Sequence, residues 1–432
     1  MIKMKNSGVE WIGDIPVDWE TTAIKNYCIN VFAGGTPQSN NSEYWDGDIP
    51  WIPSGSCHDC KISSAPKFIT KEGFENSSTK LIPANTALVA MTGATCGNTG
   101  YLTFDSCANQ SVTAYVAKSS TYSLFIWYLL QAVKEHLLTF QTGGAQGGVN
   151  VNNCKNIVVP YISFDKQKKI ADYLDEKCAK IDAIIKKQQA VIEKLKEYKF
   201  SLITEVTTNG LRTTTELKDS GYEFIGKIPS NWKVYKLRNI GVPQNGISKG
   251  GEYFGKGYPF VSYGDVYRNF SLPEHVNGLI ESTEEERKKY SVEKGDIFFT
   301  RTSETIEEVG FSSVCETTIK DACFAGFLIR VRPINNLLET RFAKYYFRGN
   351  HHRDYLAKQM NLVTRASLGQ DLLKSMIVLI PPNEEQLEIA DYLDTKCDAI
   401  DESIKKKQAI IQKLIDYKKS LIYEVVTGKK EV

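Results

Sequence analysis

The sequence predicts an α+β protein made by tandem duplication: two mixed, mostly β globules alternating with two long helices that pair with each other. Three observations carry this. The stretch 167–208 recurs at 386–427 without a gap, at an offset of 219 residues and with about two positions in three identical. The opening phrase Ser7-Gly8-Val9-Glu10-Trp11-Ile12-Gly13-Asp14-Ile15-Pro16, then Trp19, recurs as Ser220-Gly221-Tyr222-Glu223-Phe224-Ile225-Gly226-Lys227-Ile228-Pro229, then Trp232. Between phrase and helix the two copies differ almost completely, as expected where a scaffold is kept and each interior is fitted to a different target.

The chain divides into a first globule (1–160), a first helix (161–211), a second globule (212–382) and a second helix (383–432). In the first globule, Gly34-Gly35-Thr36-Pro37 and the turn-rich Asp46-Gly47-Asp48-Ile49-Pro50-Trp51-Ile52 precede short alternating runs. Those runs, Thr86 to Met91 and Ser111 to Val116, read as strands between glycine and proline turns. Tyr122 to Phe140 reads as an apolar helix, and Gln141 to Asn150 as a loop rich in glycine and amides. In the second globule a glycine-rich loop, Gly246 to Gly257, leads to a strand at Pro259 to Tyr263. A charged helix at Thr283 to Tyr290 follows, then a strand at Ile297 to Thr300 and a loop at Arg301 to Gly310. A strand at Phe327 to Val331 and a helix at Thr340 to Met360 complete it. Asn383 and Gln386 read as a capping pair that opens the last helix.

The helices carry the clearest pattern. At a seven-residue period Leu174, Ile181, Leu195 and Leu202 form one row, and Cys178, Ile185, Ile192 and Val206 the next. The second copy repeats them as Leu393, Ile400, Leu414 and Leu421, with Cys397, Ile404, Ile411 and Val425. These are the two positions of a coiled-coil seam. Polar residues interrupt both seams at the same places, Gln188/Lys407 and Lys199/Lys418, which costs stability and fixes register. The aligned Asn209 and Gly428 are the residue types that best tolerate a left-handed C-cap. At about 1.5 Å per residue each helix spans roughly 60 Å. Each seam is narrow, and burying it against the other copy needs no second protein. The alternative is that each helix joins a separate coiled-coil oligomer.

Composition bounds the rest. At 432 residues the chain exceeds one ordinary core. Its 42% hydrophobic and 24% charged residues are those of a soluble globular protein. No apolar run is long enough to span a membrane and the N-terminus has no signal-peptide core, so a cytoplasmic location is expected. The ten cysteines are scattered, which argues against a disulfide framework. Cys57-His58-Asp59-Cys60 lacks the second ligand pair a zinc site needs. A net charge of +2 excludes a uniformly basic coat and leaves room for a local basic groove.

Catalytic motifs fail one by one. Gly250-x4-Gly255-Lys256 has phosphate-loop spacing, but Gly257 stands where a Mg²⁺-binding hydroxyl belongs. The histidine pair His351-His352 reads as solvated on a polar helical stretch. What the globules hold instead is loops rich in groups that hydrogen-bond to base edges and phosphates. The first has Thr36, Gln38, Ser39, Asn40 and Asn41, then Gln141, Thr142, Gln146 and Asn150; the second has Lys249, Tyr253, Lys256, Tyr263, Arg268, Arg301, Thr302 and Arg365. No arginine precedes Arg212. Arginine is the commonest bidentate reader of guanine, so arginine–guanine contacts are expected only in the second globule.

The duplicated opening phrase, the block running from Gly34-Gly35-Thr36-Pro37 to Trp51, the Ala108-Asn109-Gln110 element and the repeated Gln-x-x-Ile-Ala-Asp-Tyr-Leu-Asp helix start resemble the specificity subunit of type I restriction-modification enzymes. The resemblance covers essentially the whole chain. It implies that each globule reads one half of a bipartite, asymmetric site in double-stranded DNA. It also implies that the helices form an antiparallel spacer with pseudo-twofold symmetry that sets the gap and docks two modification subunits, with restriction/translocase subunits completing the complex. S-adenosylmethionine, ATP and Mg²⁺ would serve those partners, leaving this chain without catalytic residues or cofactor. The Pro381-Pro382 and Glu385-Gln386 element has only Ile162-Ser163 and Lys166-Gln167 as its first-copy counterpart, so a differently angled first helix is expected. A protein-binding coiled-coil adaptor without DNA specificity is the competing reading, and a self-sufficient methyltransferase or nuclease a third.

Overall fold

The computed structural model describes residues 3–143, 147–212, 216–303, 309–359 and 366–432. Two helices dominate, Phe164–Asn209 and Asn383–Val426, of 46 and 44 residues. The chain forms two compact units: residues 1–188 with 408–432, and residues 189–407. Each unit thus joins one globule to half of each long helix.

In the first unit Leu174, Cys178 and Ile181 share one core with Leu421, Ile422 and Val425, flanked by Ile185 and Leu414. In the second, Leu202, Ile203 and Val206 share a core with Ile389, Leu393, Cys397 and Ile400, flanked by Leu195 and Ile404. Ile192 is buried and Ile411 half-buried. Burial pushes the Cys178 and Cys397 thiols up to about 11, so both act as small apolar core residues. Of the polar interruptions, the aligned Lys199 and Lys418 take equivalent partners. Lys418 Nζ lies 2.7 Å from Asp182 in the first unit, and Lys199 Nζ 2.6 Å from Asp401 in the second.

The first globule centres on a five-stranded sheet in the order Cys28–Ala33, Val112–Ala117, Thr86–Ala90, Thr99–Leu102, Cys60–Ile62. The second has Gly241–Asn245, Leu328–Pro333, Ile297–Thr300, Ser312–Val314 in the same relative order. A helix apolar on nearly every side, Ser123–Ala132, buries Leu124 to Leu130 against the first sheet, as an all-round apolar helix must. Its counterpart Thr340–Tyr346 buries Phe342, Ala343, Tyr345 and Tyr346.

Several expectations need correction. The run Tyr122 to Phe140 is two helices, Ser123–Ala132 and Lys134–Leu138. Thr340 to Met360 is likewise split into Thr340–Tyr346 and Asn350–Gln359, and Met360 lies outside the described residues. Because of that break, His351 and His352 do not continue a solvated polar face. They are 6% and 4% exposed and pack on Tyr346 and Phe347. The left-handed cap of the first long helix falls on Gly210 (φ 74°), one residue beyond Asn209, whereas Gly428 (φ 73°) caps the second as expected. Gln386 is not mainly a helix cap. Its amide donates to the Leu337 and Pro381 carbonyls at 2.9 Å and its oxygen accepts from the Glu339 N–H at 2.8 Å.

Gln167 makes the same clamp, donating to the Ile162 carbonyl at 2.9 Å and accepting from the Tyr122 N–H at 3.0 Å. Tyr122 and Glu339 are the N-caps of the two equivalent buried helices. The different dipeptides Ile162-Ser163 and Pro381-Pro382 therefore leave the anchor of the long helix unchanged. Four residues beyond each clamp's Ile-Ala, an aspartate continues the attachment: Asp175 accepts from Tyr128 and pairs with Lys61, and Asp394 accepts from Tyr345 and pairs with Arg341 and Lys344. The repeated motif holds each globule to the start of its helix.

Candidate nucleic-acid interface

A second, smaller sheet is common to both globules although their sequences diverge. In the first, Trp45–Ile52 pairs antiparallel with Lys67–Ile69 and parallel with Cys107–Ala108. In the second, Phe254–Val261 pairs antiparallel with Gly278–Ile280 and parallel with Cys323–Phe324. The registers coincide. Pro50 faces Phe68 and Trp51 faces Lys67, as Pro259 faces Leu279 and Phe260 faces Gly278. Both long strands carry the same bulge, between Trp45 and Ile49 and between Phe254 and Tyr258. At the bulge Asp46 (φ 60°) and Gly255 (φ 90°) adopt the left-handed backbone. An edge-on aromatic pair with centroids 5.2 Å apart braces each bulge, Trp45 with Trp51 and Phe254 with Phe260. Gly34 and Gly246 close the frame, because a Cβ at either would collide with the carbonyl of Ala108 or Ala325.

This sheet sits beside the loops singled out from the sequence. A cleft of about 560 Å³ brings Thr36 and Ser39 together with Trp45, Asp46, Trp51, Pro66, Lys67 and Phe68. The Thr36 hydroxyl donates to Gln110, and Lys67 Nζ stands 5.6 Å from the Trp45 ring centre. Gln38 and Asn40 are exposed next to it. Asn41 instead caps the turn Ser42–Tyr44, and Asn150 caps the helix Val151–Asn156. Exposed Gln141 and Thr142 close their own loop, Gln141 donating to the Gly147 carbonyl and Thr142 bridging Gly148. Gln146 lies outside the described residues.

In the second globule Phe254 and Tyr258 on the long strand, and Tyr253 in the turn just before it, are each about 40% exposed. Arg287 covers the Tyr258 ring at 3.7 Å. Lys249 is held by Glu286 at 2.7 Å, and its hydrogen bond keeps that carboxyl below the usual range. Lys256 pairs with Glu281 at 3.1 Å. Tyr263 stacks on Tyr267 at the start of the helix Tyr263–Arg268, whose last residue, Arg268, is exposed. Arg301 is half-buried; its backbone carbonyl accepts from the Leu368 N–H, and Thr302 pairs with Ser367. Arg365 lies outside the described residues.

Sequence reasoning did not single out Asp46, Lys67, Phe68 or Arg287. The signal was present for the strand itself: Tyr44-Trp45-x4-Pro50-Trp51-Ile52 and Tyr253-Phe254-x4-Pro259-Phe260-Val261 share a pattern of aromatics about a proline. Among the described residues no group of three or more histidine, cysteine or acidic side chains could hold a metal, and all ten cysteines are free. No described helix is long and apolar enough to cross a membrane.

Comparison with known proteins gives the frame a family. A family model for the type I restriction modification DNA specificity domain matches residues 16–194 and 229–413. The chain is 28% identical over 242 residues to the type I restriction enzyme MjaIX specificity subunit of Methanocaldococcus jannaschii, covering 53% of each protein, so it spans about half the length of that relative. It is 23% identical over 425 residues to the MjaVIII specificity subunit of the same organism, covering 97% of this chain and 94% of that one. A solved structure described as the structural basis of complex assembly and conformational transition of the type I R-M system superposes with a TM-score of 0.71 at 16% identity, covering 96% of this chain and 99% of its own; it speaks for the fold. With the matched model repeated over both globules and their helix halves, the chain belongs to the family of the type I restriction modification DNA specificity domain.

Proposed function

We propose that this chain is the non-catalytic specificity subunit of a type I restriction-modification complex in the cytoplasm. Each globule reads one half of a bipartite, asymmetric site in double-stranded DNA. The observation that carries this reading is the tandem match to a DNA specificity domain on two globules with one frame and different exposed chemistry. The long helices pair as an antiparallel coiled coil with pseudo-twofold symmetry and set the gap between the half-sites. Two facts support that pairing: the seam residues of both helices share cores, and the pairs Asp182–Lys418 and Lys199–Asp401 occupy equivalent positions in the two copies.

Outside the seam, Val191 and Tyr198 on one helix and the aligned Ile410 and Tyr417 on the other are exposed. Such repeated apolar surface suits one modification subunit on each copy, with restriction/translocase subunits joining the assembly. Adenine methylation with S-adenosylmethionine and ATP- and Mg²⁺-dependent cleavage belong to those partners. The test is to map methyladenine in DNA from cells making this chain with its modification subunit. A two-part motif that vanishes when this chain is deleted is the expected result. Methylation that persists without it would remove the specificity role.

A further inference from the structure

Two features of the bulged sheet have no account in folding alone. Its edge keeps a large apolar side chain in water at the same register position in both globules, Phe68 at 40% and Leu279 at 37% exposure. Asp46 holds a left-handed backbone that glycine would adopt without strain. Its carboxylate is exposed, with no hydrogen-bond or ion-pair partner among the described residues. Lys67, one cleft wall away, likewise has no carboxylate within ion-pair reach among them; its ammonium rests over Trp45.

We infer that this cleft is where the first globule reads base edges, with Asp46 and Lys67 as specificity-determining side chains and Phe68 as an apolar contact. The inference rests on the DNA-specificity reading above. The chemistry matches what the major groove displays. A carboxylate accepts from the cytosine amino group, an ammonium donates to the guanine O6 and N7, and an aromatic ring packs on the thymine methyl. The hydroxyls of Thr36 and Ser39 on the same cleft add groups that bond to base or phosphate.

The second globule explains why the occupant is DNA and not a protein common to both halves. The positions of Asp46 and Lys67 are Gly255 and Gly278 there, by strand position and by pairing with Trp51 and Phe260. The aromatic brace, bulge and exposed apolar edge are the same in both, while the polar groups differ. A partner docking alike on both globules would need the polar groups to match. Two half-sites of different sequence need the frame constant and the polar groups changed. In the second globule the exposed group at the bulge is Tyr258, at the position of Ile49, under Arg287.

The test uses the full chain assembled with its modification subunit and two variants chosen to spare the fold. Asp46→Gly removes the carboxylate where the backbone already favours glycine. Lys67→Met keeps the aliphatic stem over Trp45. Methyladenine mapping should show each variant relaxing a single base position of one half-site by about 10-fold or more, with the other half-site unchanged. Unchanged discrimination in both variants, while the wild-type complex methylates its two-part motif, overturns the assignment and leaves the DNA-specificity reading intact. Thermal unfolding accompanies the mapping, and a variant that no longer folds would assign its residue to the scaffold and also overturn it. A wild-type complex that methylates no two-part motif strikes the underlying reading, and this assignment with it.

Discussion

Replacing Gln386 by alanine tests the attachment of globule to helix. The side chain is fully buried and makes three good hydrogen bonds, accepting from the Glu339 N–H and donating to the Leu337 and Pro381 carbonyls. Truncation strands one donor and two acceptors, the Pro381 carbonyl in a buried bond and the other two in part-buried ones. An orphaned buried polar group costs about 1–3 kcal/mol, with carbonyls at the lower end because they hold two lone pairs. The expected loss is about 3–5 kcal/mol of local stability. Gln167 makes two such bonds, to Ile162 and Tyr122, so Gln167→Ala should cost about 1 kcal/mol less. Amide hydrogen exchange reads both effects where they occur. Protection of Thr340–Tyr346 should fall in Gln386→Ala, and protection of Ser123–Ala132 in Gln167→Ala, each sparing the other helix. Loss of protection below about 0.5 kcal/mol in Gln386→Ala, or equal loss in both helices from either variant, would refute the clamp.

Other perturbations follow from the same geometry. Burial holds the His351 imidazole down at about 3 and His352 well below its ordinary value, so the unfolded chain binds more protons below about pH 6.5. Stability of the second unit is therefore full above that pH and falls as pH drops toward the folded value, by about 1.4 kcal/mol per pH unit for one imidazole. Urea unfolding at pH 7 and pH 5 should show it, and His351→Phe should reduce it; a pH-independent midpoint would contradict the buried pair. Tyr198→Glu and Tyr417→Glu should each weaken docking of one modification subunit, read by native mass spectrometry as a missing copy; full occupancy in the double variant would discard that surface. Lys199→Leu should raise the unfolding midpoint of the second unit, because it replaces a polar seam residue whose partner Asp401 is half-exposed and can return to water. A lowered midpoint would mean that the ion pair outweighs apolar seam packing.

What the sequence made legible was whatever repeats at a fixed period. The buried rows through Leu174, Cys178 and Ile181 and through Leu393, Cys397 and Ile400, and the lysines Lys199 and Lys418 between them, all follow from heptad spacing. Long-range partners were not legible. Nothing local ties Gln386 to Glu339 or Gln167 to Tyr122, so Gln386 reads as a cap and Gln167 as the first residue of its helical stretch. His351 and His352 read as solvated because the helix break between Tyr346 and Asn350 re-aims them into the core. The bulged sheet was hidden because its identity in the two globules lies in strand register and backbone conformation, with only a pattern of aromatics around a proline shared in sequence. Several loop residues chosen for their chemistry proved to have local duties, Asn41 and Asn150 as caps and Lys249 as an ion-pair partner.

The central claim is that each globule reads its own half-site while the helices set the distance between them. The direct measurement is methyladenine mapping with a chimera whose first globule comes from a relative of different specificity, paired with the native modification subunit. One half of the motif should change, with the other half and the gap unchanged. A motif that changes in both halves, or a gap that follows the exchanged globule, would contradict the account.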